Sequence, residues 1–228
     1  MSGRPLLVTA TLSGPLAGDA PRLDGLLLYV MSLHHAKFEA GYKVDRALPA
    51  PPQDEIPIPL PKRDVGPWKV GACSDPIYAA TDSEHVDHYV KKISVENAEL
   101  LAPSARHVVS TTNSWTKSYR LPLRVRRVES VRWFAWGDRR ELLKVLKRVD
   151  FLGKKPSFGY GRVAAWRIDP VDEDYSWFAE SPAGPVLMST LPAEARLPDR
   201  LTGYRRGFGA CVPPYWHPDR YTEIIVPC

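Results

Sequence analysis

The run Phe151-Leu152-Gly153-Lys154-Lys155-Pro156-Ser157-Phe158-Gly159-Tyr160-Gly161-Arg162 sets three glycines between segments of different periodicity. Before it, Leu142, Leu143, Leu146 and Val149 recur at helical spacing, with Arg139, Arg140, Lys144, Lys147 and Arg148 on the other face. That spacing predicts an amphipathic helix, entered through Gly137 and capped by Asp138. After it, Val163 to Ile168 reads as a strand. Glycine has no Cβ, so Gly153, Gly159 and Gly161 let the backbone turn through positive φ and lie close to a ligand. Lys154, Lys155 and Arg162 bring positive charge, Ser157 a hydroxyl, and Phe158 and Tyr160 flat faces for stacking. Such a loop suits the phosphates and bases of RNA or single-stranded DNA. The plainer alternative is a cap that only joins helix to strand. It is neither a P-loop, lacking the Gly-Lys-Ser/Thr ending, nor a dinucleotide fingerprint, because the glycines follow a helix instead of opening one.

Charge is unevenly spread in the same direction. From Arg106 to Arg167 there are 16 Lys/Arg against four Asp/Glu, a net +12, while the rest carries 15 against 22, a net −7. A polyanion-binding face opposite a more acidic one accounts for this asymmetry. Within the basic third, Arg120, Arg124 and Arg126 alternate with Leu121, Leu123 and Val125, predicting a strand over 119–128 with its arginines on one face. Pro122 removes a ladder donor there and predicts an edge position or a bulge. A second strand, Ser130 to Trp136, sets Val131, Trp133 and Ala135 against Arg132, Phe134 and Trp136.

The chain opens with a strand pattern, Leu6-Leu7-Val8-Thr9-Ala10-Thr11-Leu12 before Ser13-Gly14-Pro15, then a helix pattern beginning Leu23-Asp24-Gly25-Leu26-Leu27-Leu28-Tyr29. This opening, with a glycine-rich loop between the last helix and last strand of the module, resembles the RAMP superfamily of CRISPR RNA-processing and effector subunits. It looks closest to the small subunit that caps the crRNA 5′ handle, in its type IV form. The family's loop usually begins with a Gly-hydrophobic-Gly element, of which only Gly153 stands here. The resemblance implies an α+β, ferredoxin-like (RRM-like) module over 1–170 with an inserted arm or hairpin at about 45–118. A β-rich extension over 171–228 would pack on it. It further implies a subunit that binds crRNA through the loop residues and Arg120, Arg124 and Arg126, next to backbone and large subunits and near target DNA. The role would be defence against foreign genetic elements.

Six prolines between Pro49 and Pro61 predict an extended connector. His85 to Val95 alternates like a strand, and Cys73, His85 and His88 lack the paired spacing of a zinc module. Neither a metal nor another cofactor is expected. A second basic, aromatic and glycine-rich stretch, Gly203-Tyr204-Arg205-Arg206-Gly207-Phe208-Gly209, reads as a rigid turn packed on the core or as a further nucleic-acid contact. Two widely spaced cysteines besides Cys73, and no long apolar segment, fit a cytoplasmic protein without a membrane role. The expectation is a non-catalytic RNA-binding subunit. The alternatives are a metal-independent repeat-processing endoribonuclease of the same superfamily, using His34 or His35, and a basic scaffold that binds an acidic protein.

Overall fold

The computed structural model describes residues 3–39, 56–92, 94, 96, 97, 100 and 117–228. Strand β1 (Arg4–Leu12) buries Leu6, Val8 and Ala10 and turns Leu7 and Thr9 to the other face, as an alternating pattern requires. A two-residue strand β2 (Leu16–Ala17) follows, then helix α1 (Leu23–Glu39). Hairpin β3 (Lys62–Val65) and β4 (Trp68–Gly71) precedes β5 (Ile77–Lys91) and β6 (Tyr119–Gly137). Next come α2 (Arg139–Leu146) and β7 (Val163–Pro170).

These elements build one antiparallel sheet whose strands lie in the order β5, β6, β1, β7, with β2 continuing the β1 edge of β6. The chain thus runs strand, helix, two strands, helix, strand, an α+β arrangement. Leu23 and Leu27 of α1 and Leu142 and Leu146 of α2 meet Leu6, Val8, Trp133 and Ile168 of the sheet in one core. Asp138 caps α2 by accepting from the Arg140 and Glu141 amides, at 2.8 and 3.0 Å. The buried stripe of α2 is Leu142, Val145 and Leu146, with Val149 beyond the helix end, so Val145 takes the place expected of Leu143.

Two expectations about strands change. The patterns over 119–128 and 130–136 belong to one 19-residue strand, because Ala79 and Thr81 of β5 pair across the junction with Ser130 and Val128. Strand β5 also begins at Ile77, well before His85, and it lies at an edge of the main sheet. Of the remaining insertion, Ile56 and Leu60 are buried. Residues 40–55 and 101–116, which include most of the proline-rich arm and of the 113–119 turn, lie outside the described residues.

The carboxyl-terminal part forms hairpin β8 (Phe178–Ser181) and β9 (Gly184–Leu187), and a second sheet of β10 (Leu191–Pro192), β12 (Tyr221–Pro227) and β11 (Tyr204–Ala210). Its core draws Val65 and Val70 from the β3–β4 hairpin to Leu187, Leu191, Cys211 and Ile225. The stretch around Arg205 and Phe208 is therefore an exposed edge strand and not a turn packed on the core.

A buried ionic junction joins the two parts. Arg22, 8% exposed, donates to the Thr190 carbonyl at 2.6 Å and lies 3.6 Å from Asp24 and 3.3 Å from Asp75. Tyr215 donates its hydroxyl to Asp24 at 2.6 Å, and the Thr190 amide and hydroxyl donate to Asp75. Burial disfavours the Arg22 charge, but Tyr215, Asp24 and Asp75 around it prevail and hold the guanidinium protonated, well above its usual value.

Candidate nucleic-acid interface

The glycine-rich loop has a pinned neck and a projecting tip. Phe151 and Arg162 face each other as an antiparallel bridge, the Leu152 amide donates to Gly161, and the Val163 amide donates to Asp150. The neck is also tied to the β1–β2 connection: Gly161 donates to Pro15 and Lys154 to Ala17, both at 2.8 Å, and Ser13 donates to Arg162 at 2.9 Å. Such close backbone approach is why glycine is needed. A Cβ on Gly161 would lie 1.9 Å from the Leu152 carbonyl oxygen, and one on Gly153 would lie 2.5 Å from that of Ala17. At the tip, the 3₁₀ turn Pro156–Phe158 is flanked by Lys155 and Gly159, both in the left-handed region at φ 59° and 82°. Around Gly159 there is open space.

The far end of the β5–β6 ribbon leans on this tip. Tyr160 donates its hydroxyl to the Asp87 carboxylate. Phe158 meets Tyr89 edge-on, with ring centroids 5.1 Å apart. The Lys155 ammonium sits 3.6 Å from the Tyr89 ring centroid, a cation–π contact. Tyr160 and Lys155 are therefore engaged within the protein, while Phe158 remains 59% exposed and Ser157 and Arg162 are exposed.

The bond from Tyr160 holds the Asp87 carboxyl below the usual carboxylate range, helped by the His88 amide, and the same bond raises the Tyr160 phenol. A depressed carboxyl strengthens the contact above its unfolded pKa of about 4 and loses that contribution as pH falls through the folded value. A raised phenol contributes below about pH 10 and loses it as pH rises further. Carboxyl carbon NMR titration of Asp87 is expected to give a low pKa that returns toward the ordinary value in Tyr160→Phe. An unchanged titration in that variant would place the cause of the shift elsewhere.

The arginines of β6 are not brought to the loop. Cross-strand pairing puts Arg120, Arg124 and Arg126 opposite Val90, Val86 and Glu84, whereas Tyr119, Leu121 and Leu123 pair with Lys91, Tyr89 and Asp87. Because successive side chains alternate, the arginines project from the ribbon face opposite the one that touches the tip. Arg124 pairs with Glu84 at 2.8 Å, and Arg126, 13% exposed, pairs with Asp19 at 2.8 Å and lies over the Tyr78 ring at 4.5 Å. Arg120 is exposed and has no ion pair among the described residues.

Beside the loop neck the structure has a groove that the sequence reading missed. A space of about 670 Å³ runs between α1 and the 148–156 segment, with Tyr29 and Leu33 on one wall and Arg148, Phe151, Gly153 and Lys154 on the other. Tyr29 is 62% exposed and Phe151 37%. Lys154 thus faces the groove while Lys155 turns away to Tyr89. The one sequence signal for Tyr29 is an aromatic next to the Leu26, Leu27 and Val30 stripe, off its buried face. His34 and His35 belong to the later turns of α1, where the side chains lie outside the described residues.

Cys73 and the two β5 histidines are far apart. Cys73 bridges to Ala135 and His85 pairs with Val125, ten residues along β6, a separation of about 30 Å at strand rise. Burial pushes the Cys73 thiol up to about 12. No described helix is long and apolar enough to cross a membrane.

A family model described as CRISPR type IV associated protein Csf3 matches residues 71–227, from the end of β4 through β12. The match includes the glycine-rich loop and leaves out β1 and α1. No curated protein matches the chain.

Proposed function

Because the chain belongs to the Csf3 family of CRISPR type IV associated proteins, we propose that it is the crRNA-binding subunit of a type IV effector, capping the 5′ handle without cleaving it. The observation that carries this reading is the groove between α1 and the loop neck, which sets Lys154 and Arg148 beside two exposed rings, Tyr29 and Phe151. Cations that meet phosphates and rings that accept bases are the two components of single-strand recognition. The β1-α1-β5-β6-α2-β7 connectivity, with fourth, first, third and second strands side by side, supports a ferredoxin-like RAMP module. In it, the glycine loop joins the last helix to the last strand. The exposed Ser157 and Phe158 at the tip and Arg162 at the neck lie next to the groove in the chain and offer further contacts. Neighbouring backbone and large subunits, and target DNA within the assembly, complete the proposed setting.

Binding of the chain to repeat RNA of its own locus tests this reading. Exchange of Arg148 and Lys154 for alanine is expected to weaken binding and to reduce the log–log salt slope by about 0.7 for each phosphate no longer neutralised. An unchanged slope in the double variant would show that neither side chain meets a phosphate. The processing endoribonuclease is a second reading, favoured by the same groove, since the histidine-bearing helix forms one of its walls. Metal-free cleavage of the repeat that disappears in His34→Ala or His35→Ala would establish that reading instead; intact RNA in a shifted complex supports the capping subunit.

A further inference from the structure

Strand β11 is the most exposed regular element of the carboxyl-terminal sheet. It pairs with β12 along one edge, and its other edge has no partner among the described residues. Residues 204–208 are all exposed, Phe208 at 72% and Tyr204 at 37%. Pairing puts Tyr204, Arg206, Phe208 and Ala210 on one side with Pro227, Ile225, Glu223 and Tyr221 of β12. Phe208 and the 45% exposed Tyr221 are neighbours, with ring centroids 6.1 Å apart. Arg205 lies on the other side, where Gly207 and Gly209 lie over the buried Ile224. Neither arginine has an ion pair among the described residues, and the acid on the ring face, Glu223, stands opposite Phe208.

An edge strand that is exposed on both faces and aromatic needs an explanation, because exposed apolar edges promote aggregation unless they are covered. Three exposed rings and, on the face of Tyr204 and Phe208, an arginine with no ion pair among the described residues match one kind of cover. We propose that β11 and Tyr221 form a stacking platform for a single-stranded nucleic acid, separate from the glycine-rich loop. Bases lie on Tyr204, Phe208 and Tyr221, and the guanidinium group of Arg206, on the same face as Tyr204 and Phe208, meets a flanking phosphate. A peptide strand added to the open edge would use main-chain hydrogen bonds and would require neither the exposed rings nor the arginines. The platform does not depend on the handle-capping role.

The test uses the full chain with oligouridine and oligothymidine probes of about 15 nucleotides, a length within the range one such site covers. Photo-crosslinking with halogenated bases is expected to label Phe208, Tyr204 or Tyr221. Phe208→Ala combined with Tyr221→Ala is expected to weaken binding roughly tenfold or more, from the loss of stacking. Crosslinks that persist on β11 in the Arg148→Ala, Lys154→Ala variant separate the platform from the loop site. Preference for uridine points to the guide, and preference for thymidine to a DNA strand; either outcome, or equal binding, supports a single-strand platform. Crosslinks confined to residues 151–162, affinity unchanged in the aromatic variant, or no binding of either probe would each overturn it. Mapping on the unaltered chain keeps the result decisive should the variant fold poorly.

Discussion

Arg22→Ala is expected to lower the unfolding midpoint by roughly 10 °C or more. Arg22 is the cation of a junction in which Asp24 and Asp75 approach it from two sides and the Thr190 carbonyl from a third. Asp24 is 1% exposed, and its Oδ2 has no hydrogen-bond partner among the described residues. Removing the guanidinium leaves a buried carboxylate without its counter-charge, a change that typically costs about 3–5 kcal/mol. For a chain of this size each kcal/mol moves the midpoint by roughly 2–4 °C. The loss also has a direction, because Thr190 and Tyr215 belong to the carboxyl-terminal part and Asp24 begins α1. Hydrogen exchange should therefore accelerate on both sides of the junction. Pairing Arg22→Met with Asp24→Asn removes both charges and is expected to recover part of the stability. A double variant no more stable than Arg22→Ala would show that packing, and not charge, sets the value of this site.

Within the glycine-rich loop, Gly161→Ala and Gly159→Ala are expected to differ sharply although both glycines have positive φ. At Gly159 the added methyl meets no atom within 4 Å, leaving only the left-handed backbone cost of about 1–2 kcal/mol. At Gly161 the same cost is joined by a clash with the carbonyl of Leu152, whose amide donates to Gly161 across the neck. The neck must then open, breaking the bonds between Leu152 and Gly161 and between Gly161 and Pro15. A loss on the order of 3 kcal/mol follows, and the crRNA-binding role proposed above adds weaker RNA binding, because the neck places Lys154 and Phe151. Thermal melts and RNA titrations of the two variants side by side measure it. Equal behaviour would mean that the neck is not held by these bonds.

The two exchanges separate what can be read locally from what cannot. Gly159 and Gly161 look equivalent in the chain, and only Leu152 across the neck and Pro15 of the β1–β2 connection make one replaceable and the other not. Lys154 and Lys155 are adjacent and chemically alike, yet the left-handed turn at Lys155 sends one toward α1 and the other onto Tyr89. Arg120, Arg124 and Arg126 share a face, as their alternation predicts, but the pairing of β5 with β6 turns that face away from the loop tip. Tyr29, a wall of the groove, is marked in the chain only as an aromatic off the buried stripe of α1, which does not say what it faces.

From sequence alone the local features were determined: the alternation of β1 and β6, the apolar stripe and Asp138 cap of α2, the glycines of the loop, and the basic middle third of the chain. These depend on side-chain periods of two and 3.6 and on backbone sterics, both of which operate over a few residues. The tertiary structure decided the rest: β5 as an edge strand of the main sheet, the β3–β4 hairpin completing the second core, the Arg22 junction, and the groove between α1 and the loop neck. Each depends on which distant segments pair and in what register, and a one-residue change of register reverses every face a strand presents.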